Sequence, residues 1–271
     1  MPLSLKQAFC GSRKSCIQKE SAAVTAATAP VNAVFLRSVR PVMSKPPPIT
    51  IIGLGSLLSE RSSRLTFPTL ANWRLARVEG HRRCFAHPAA IFFERGIADL
   101  AAKRICSLSA EPCEGASFVC SVFDVPSDGL MENGAPSMAF REREEEFDLK
   151  MVPYTELGEG QTQGSGLCCL RSTDEAYIAL WGKELYEKKY IKGANVESIW
   201  GYTPDSGLLP CHAYLRHCML AAEKLGPACR ESFLDDTFLI DRTSTIREYL
   251  AANPQVMTTM PPPELAERYG G

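Results

Sequence analysis

The stretch that most constrains this chain is PPPITIIGLGSLL, residues 46–58. Three prolines lack the N–H groups that a sheet interior needs, and the β-branched run Ile49–Ile52 follows them directly. Gly53 and Gly55 come next. A short buried strand is therefore predicted at Ile49–Ile52, where the folded domain begins. After it the backbone must turn sharply or be approached closely, because glycine lacks the Cβ that hinders both.

Further strands are expected at Arg74–Val78 and Arg82–Ala86, as two strands or one bent one, and at Ile105–Leu108 and Ala116–Val125. In the last of these both faces are apolar, Phe118, Cys120 and Val122 on one and Val119 and Phe123 on the other. That pattern suits a central or barrel strand and not an exposed edge. Helices gather later. Ser172-Thr173-Asp174-Glu175 and Thr245-Ile246-Arg247-Glu248 have the form of capping boxes, and His212–Leu225 holds a helical period up to Gly226-Pro227. The stretch Gly158–Gly166 reads as a flexible loop. A β-rich first half followed by helices predicts an α+β fold, without βαβ alternation.

Residues 1–48 differ from the rest. They hold seven Lys/Arg against the single acid Glu20, leaving 23 basic and 30 acidic residues beyond them from totals of 30 and 31. Such an acid-poor, Ser/Ala-rich leader has the composition of an organellar transit peptide, plastid favoured over mitochondrion. If the segment is no address, the expectation is a cytoplasmic protein. The domain expected to fold is 49–271, and its acidic balance is the reverse of a nucleic-acid binder's. No apolar run reaches the roughly 18–20 residues of a membrane-spanning helix. The eleven cysteines are odd in number and irregularly spaced, which argues against a disulfide framework.

A strand followed by Gly-x-Gly invites a dinucleotide reading, but the fingerprint's third glycine is Leu58 here. The alternatives are a tight turn without a ligand, or a loop whose backbone N–H groups receive an anionic or carbonyl group. Gly53-Leu54-Gly55-Ser56-Leu57-Leu58 resembles the Gly-Tyr-Gly-Ser-Leu motif after the first strand of the gamma-glutamylcyclotransferase superfamily, nearest its ChaC-like branch. Leu54 stands where that motif has tyrosine. Val78-Glu79-Gly80-His81-Arg82-Arg83-Cys84-Phe85 is similar to the family's next strand. The resemblance implies a small mixed β-barrel with flanking helices, and a small γ-glutamyl substrate held by Gly53, Leu54, Gly55, Ser56 and Leu57. It further implies release of 5-oxoproline by attack of the substrate's own amine, with no cofactor. A non-catalytic binding module of the same fold is the alternative.

The family's proton-shuttling glutamate corresponds to the segment Phe140-Arg141-Glu142-Arg143-Glu144-Glu145-Glu146-Phe147. One carboxyl with a raised pKa can act as base and then as acid. If the segment is helical, ~100° per residue places Phe140, Glu144 and Phe147 on one face and Glu142 nearly opposite. Glu144 is the first candidate and Glu142 the second, against a plain reading of the segment as a solvated acidic helix.

Cys211, His212, His217 and Cys218 invite a metal reading. On one helix, however, the two histidines lie about 140° apart at ~100° per residue, so the four cannot converge and no metal is expected. A Ser-His-Asp hydrolase lacks its Gly-x-Ser-x-Gly elbow. The loop Trp200–Gly207 is read as packed surface in preference to a substrate mouth. The sequence carries no signal for oligomeric state.

Overall fold

In the computed structural model the described residues are 46–270, so the leader expected at 1–48 lies outside them save for Pro46–Pro48. The first strand is β1, Ile49–Gly53, at the position that the proline boundary predicts. Two long strands follow, β2 at Ala71–Pro88 and β3 at Arg104–Val125. They pair antiparallel along most of their length, with register shifts at Ala71/Arg74, Glu79/His81 and Phe85/His87. Bulges of this kind bend and twist a strand, so a single hairpin spans what sequence divides into four segments. The minor pair β4 and β5, Met131–Glu132 and Ala135–Pro136, leads to β6, Asp148–Glu156, and β7, Gln163–Leu170.

The pairing order β3-β1-β7-β6-β2 returns to β3 through the β2–β3 hairpin, closing a five-stranded barrel. Short strands β8 (Leu209–Pro210) and β9 (Thr237–Phe238) extend it along β3 and β2. β1 is antiparallel to β3 and parallel to β7, so the sheet is mixed. The α+β class expected from the sequence and the small mixed barrel implied by the resemblance are both present.

The stretch 158–166 is not all loop, because residues from Gln163 onward belong to β7. A Cβ on Gly164 would lie 2.5 Å from the Tyr154 ring, and one on Gly166 would lie 2.8 Å from Ile52 Cγ1. These glycines serve close packing between strands.

The helices are α1 (Glu60–Thr66), α2 (Ala90–Glu94), α3 (Met138–Arg143), α4 (Asp174–Trp181), α5 (Lys183–Tyr186), α6 (His212–Lys224), α7 (Pro227–Asp235), α8 (Ile246–Ala252) and α9 (Ala266–Tyr269). A π-helical segment, Glu187–Ala194, continues α5. The Thr245/Glu248 capping box forms at α8. At α4, by contrast, Thr173 and not Ser172 caps, accepting from Ala176 N at 3.1 Å. No helix among the described residues is long and apolar enough to cross a membrane.

Two apolar clusters hold the fold. The larger one includes Val78, Phe118, Cys120 and Val122 and continues under α6 and α7. The smaller one gathers Ile49, Ile51, Phe67, Phe123 and Phe140 beneath α1 and α3. Alternation along β3 thus supplies both clusters, and each fully buried Phe contributes about 2–3 kcal/mol by removal from water. Arg83, wholly buried, ties α7 to the barrel by donating to Val119 O and Ser232 O at 3.1 and 2.7 Å. Its guanidinium lies over the Phe118 and Phe233 rings.

Candidate active site

The β1 strand delivers the Gly53–Leu58 loop to one end of the barrel. Gly53 is held at this position by packing. It does not line the cavity, and a Cβ there would strike the Ser121 hydroxyl and the Leu57 carbonyl. Ser121 Oγ donates to Leu57 O at 2.8 Å, fastening the folded-back loop to β3. At Gly55 the approaching group is the Tyr214 hydroxyl, 2.5 Å from where a Cβ would stand. The close approach required by both glycines is thus met first by the protein's own side chains. The Ser56 N–H points to Tyr214 Oη at 3.4 Å, a long contact. Among the described residues neither the Leu54 nor the Gly55 N–H has an acceptor.

Leu54, Gly55, Ser56 and Leu57 line one wall of a cavity of about 450 Å³. Glu144, Glu146, Phe147 and Cys169 line the same cavity, as do Arg95, Arg143, Arg268, Tyr214 and Tyr269. Glu142 is exposed and outside this cavity. The helical argument that separated the glutamates holds as far as Glu144 and does not reach Phe147, which lies beyond the helix. α3 ends at Arg143, and Glu144 is its C-cap residue with φ −113° and ψ 43°. Its N–H still donates to Phe140 O at 3.1 Å, so Glu144 keeps the helical phase that sets it on the Phe140 side, away from exposed Glu142.

The Glu144 carboxyl is four-fifths buried and faces Arg143 Nε at 3.5 Å. Cys169 Sγ is 3.9 Å away. Burial pushes this carboxyl above the usual carboxylate range, against the pull of Arg143 and Arg268. Glu146, only 9% exposed, rises further, to about 7. Burial is the main cause there, with the neighbouring Glu145 charge adding to it and hydrogen bonds from Tyr190 and Ala90 opposing it. One Glu146 oxygen accepts from Tyr190 Oη at 2.8 Å and from Ala90 N at 3.2 Å. The backbone is pinned by two indoles, Trp181 Nε1 donating to Glu145 O and Trp200 Nε1 to Glu146 O. Trp200 is therefore packed interior that supports the site, in turn stacked on His87 at 4.1 Å.

Three guanidiniums and two carboxyls in one cavity favour a ligand that carries an anionic group, and also supply groups for an ammonium. Ser62 Oγ lies 3.2 Å from His217 Nε2, but this is a poor nucleophile pair. Burial lowers His217 to about 4, and its Nδ1 has no partner to orient it. His212 bonds to Tyr249 Oη at 2.9 Å and Cys211 Sγ to Ile97 O at 3.2 Å, so the Cys/His residues of α6 look to different partners. Among the described residues no group of three or more His, Cys, Asp or Glu is placed to hold a metal ion.

The sequence points to the loop and to the acidic segment but not to Arg95, Cys169, Tyr214, Arg268 or Tyr269. These reach the cavity from four separate places in the fold, Arg268 and Tyr269 together on α9, and no local pattern marks them. Glu146 was visible only as one of four competing acids.

No protein-family model matches the chain, and no curated protein matches it in sequence. Among solved structures it is similar to a gamma-glutamyl cyclotransferase at 12% identity, over 68% of this chain and 84% of that one, with a TM-score of 0.42. It is similar to an uncharacterized protein from Homo sapiens at 13% identity, over 67% and 82%, with a TM-score of 0.41. A gamma glutamyl cyclotransferase specific to glutathione from yeast is 14% identical over 79% and 96%, with a TM-score of 0.39.

Proposed function

We propose that this chain is a γ-glutamyl cyclotransferase, releasing 5-oxoproline from a γ-glutamyl peptide or amine. The observation that carries the reading is the meeting, in one cavity, of the Leu54–Leu57 loop with the inward-turned Glu144. The likeness of the loop to the family's motif adds to it.

In this mechanism a guanidinium of the cavity pairs with the substrate's α-carboxylate, and Glu144 takes the proton that the α-nitrogen sheds as its bond to the carbonyl carbon forms. The amine attacks the γ-carbonyl carbon, and the oxyanion that forms is held by the free N–H groups of Leu54 and Gly55. Such donors each contribute about 10²–10³-fold when they are preorganised. Glu144 then gives its proton to the departing nitrogen as the C–N bond breaks. The nucleophile is already within the substrate, so the step calls for no cofactor.

The test is 5-oxoproline release from glutathione, a γ-glutamyl dipeptide and a γ-glutamyl amine, by the wild type and by Glu144→Gln. Turnover by the wild type that is lost in the variant, with binding kept, supports the reading. A wild type that binds these compounds and converts none is instead a binding module.

A further inference from the structure

The reaction proposed above has a proton balance that one carboxyl cannot meet. The α-nitrogen enters as –NH₃⁺ and leaves as a lactam N–H, so it sheds two protons. The departing nitrogen takes one as the C–N bond breaks, and the freed amine takes its second from water. Glu144 can carry the proton that moves from one nitrogen to the other. The first proton, lost before attack, needs another acceptor and a way out.

We propose that Glu146 is that acceptor, and that Tyr190 and Glu145 pass the proton through the cavity wall to solvent beside Lys189; this inference rests on the cyclotransferase reading. The Tyr190 hydroxyl lies 2.8 Å from Glu146 Oε1 and 3.1 Å from Glu145 Oε1. Glu145 in turn accepts from Lys189 Nζ. Glu146 faces the cavity, whereas Lys189 lines a separate surface groove of about 460 Å³ with Phe93, Glu94, Leu185 and Lys188. Beyond fully buried Tyr190, side-chain exposure rises outward, from Glu145 at 13% to Lys189 at 28%.

Each transfer balances. The substrate ammonium and the Glu146 carboxylate become an amine and a carboxylic acid. The acid proton then moves to the Tyr190 oxygen as the phenol's own proton moves to Glu145, so tyrosine carries no net charge. Glu145 returns the proton to water at the groove.

Two features set this apart from ordinary side-chain packing. Consecutive glutamates point to one hydroxyl because Trp181 and Trp200 hold both of their carbonyls. Lys189 and Tyr190 also sit on a π-helical segment, a wide and uncommon geometry most often met at functional sites. The groups that face Glu146 are Tyr177, Lys189 and Tyr190 from the helices, Glu145 beside it, Cys169 from β7 and the Ala90 N–H from α2. Arg95 and Glu144 share its cavity.

The experiment measures kcat and KM against pH with γ-glutamyl-alanine for the wild type, Tyr190→Phe and Glu145→Gln. It adds an infrared titration of the carboxyl band in the same proteins and in Glu146→Gln, without substrate. Tyr190→Phe is expected to lower kcat about 10- to 100-fold with KM little changed. It should also move the acid limb to higher pH, since the phenol's hydrogen bond favours ionised Glu146. Glu145→Gln, which removes a like charge, should move the limb to lower pH while still slowing turnover. A uniform fall in rate with both limbs unmoved overturns the relay. If the wild type converts no γ-glutamyl compound, the cyclotransferase reading fails and the infrared arm judges the coupling alone. A carboxyl that titrates near neutrality, disappears in Glu146→Gln and shifts oppositely in the other two variants upholds it. Absence of that band overturns it.

Discussion

Two glutamates of similar burial behave oppositely in this molecule. Glu111, 6% exposed, sits among Arg82, Arg171 and Arg242 at 2.7, 3.5 and 3.0 Å. Glu146, 9% exposed, has no guanidinium on its carboxyl among the described residues and shares a tyrosine with another acid. Burial alone would raise both. At Glu111 the hydrogen bonds and charges of Arg242 and Arg82 outweigh it and hold the carboxyl below its usual range, while at Glu146 burial and Glu145 prevail. Burial sets the stakes, and the partners decide the sign. One acid is fixed as a charge that joins β2, β3 and the segments after β7 and β9. The other is left able to exchange a proton.

The largest expected effect tests the side of the comparison assigned to chemistry. Glu144→Gln should lower 5-oxoproline release by about 10²–10⁴-fold, with thermal unfolding close to that of the wild type. Unchanged turnover would remove Glu144 from the mechanism. On the other side, Glu111→Gln should cost about 2–3 kcal/mol in urea unfolding, because three partly buried guanidiniums lose their shared counter-ion. Their 17–34% side-chain exposure keeps the cost at the low end. Turnover by the remaining folded protein should be near normal, and a large kcat loss would merge the two roles.

The next effect concerns pH. The Glu146 carboxyl is raised from about 4.5 to about 7, so the native state holds a proton that the unfolded chain releases between those values. Stability from this group is therefore full below about 4.5 and lost as pH rises toward 7. Glu146→Gln should exceed the wild type at pH 8 by up to about 3 kcal/mol and match it near pH 4. His87 works the other way. Burial, with Arg171 adding, lowers it to about 3, so its contribution is present above 6.5 and lost as pH falls. His212 and His217, lowered to about 4, have the same sign. Both proteins should weaken in acid, the variant more steeply, by equilibrium unfolding at a series of pH values. The smallest effect is at exposed Glu142, where Gln should change stability by less than about 0.5 kcal/mol and leave turnover as it was.

The first three barrel strands were legible because their signals are local, whereas β6 and β7 were not, and the barrel itself was implied only by the family resemblance. Prolines bound β1, both faces of β3 are apolar, and a capping box opens α8. Gly164 and Gly166 misled because a glycine needed for a neighbour's approach looks the same in sequence as one needed for a turn. The loop–carboxylate pairing was suggested by a short motif resemblance. By contrast, Glu146 differs from Glu142 only in what surrounds it. Its tyrosine and its indoles are brought in from distant positions, so the feature that distinguishes it does not exist before folding.

The α9 turn, Ala266–Tyr269, has a consequence for access to the cavity. Four residues cannot sustain a helix alone. This one is anchored chiefly by Tyr269, whose ring meets Tyr214 and His217 edge-on and whose hydroxyl receives Arg95. The same turn supplies two residues of the cavity wall, so a bound ligand and the attachment of α9 stabilise one another. Amide exchange in this turn should slow on ligand binding while exchange in β2 and β3 stays unchanged, making a four-residue segment a reporter of occupancy.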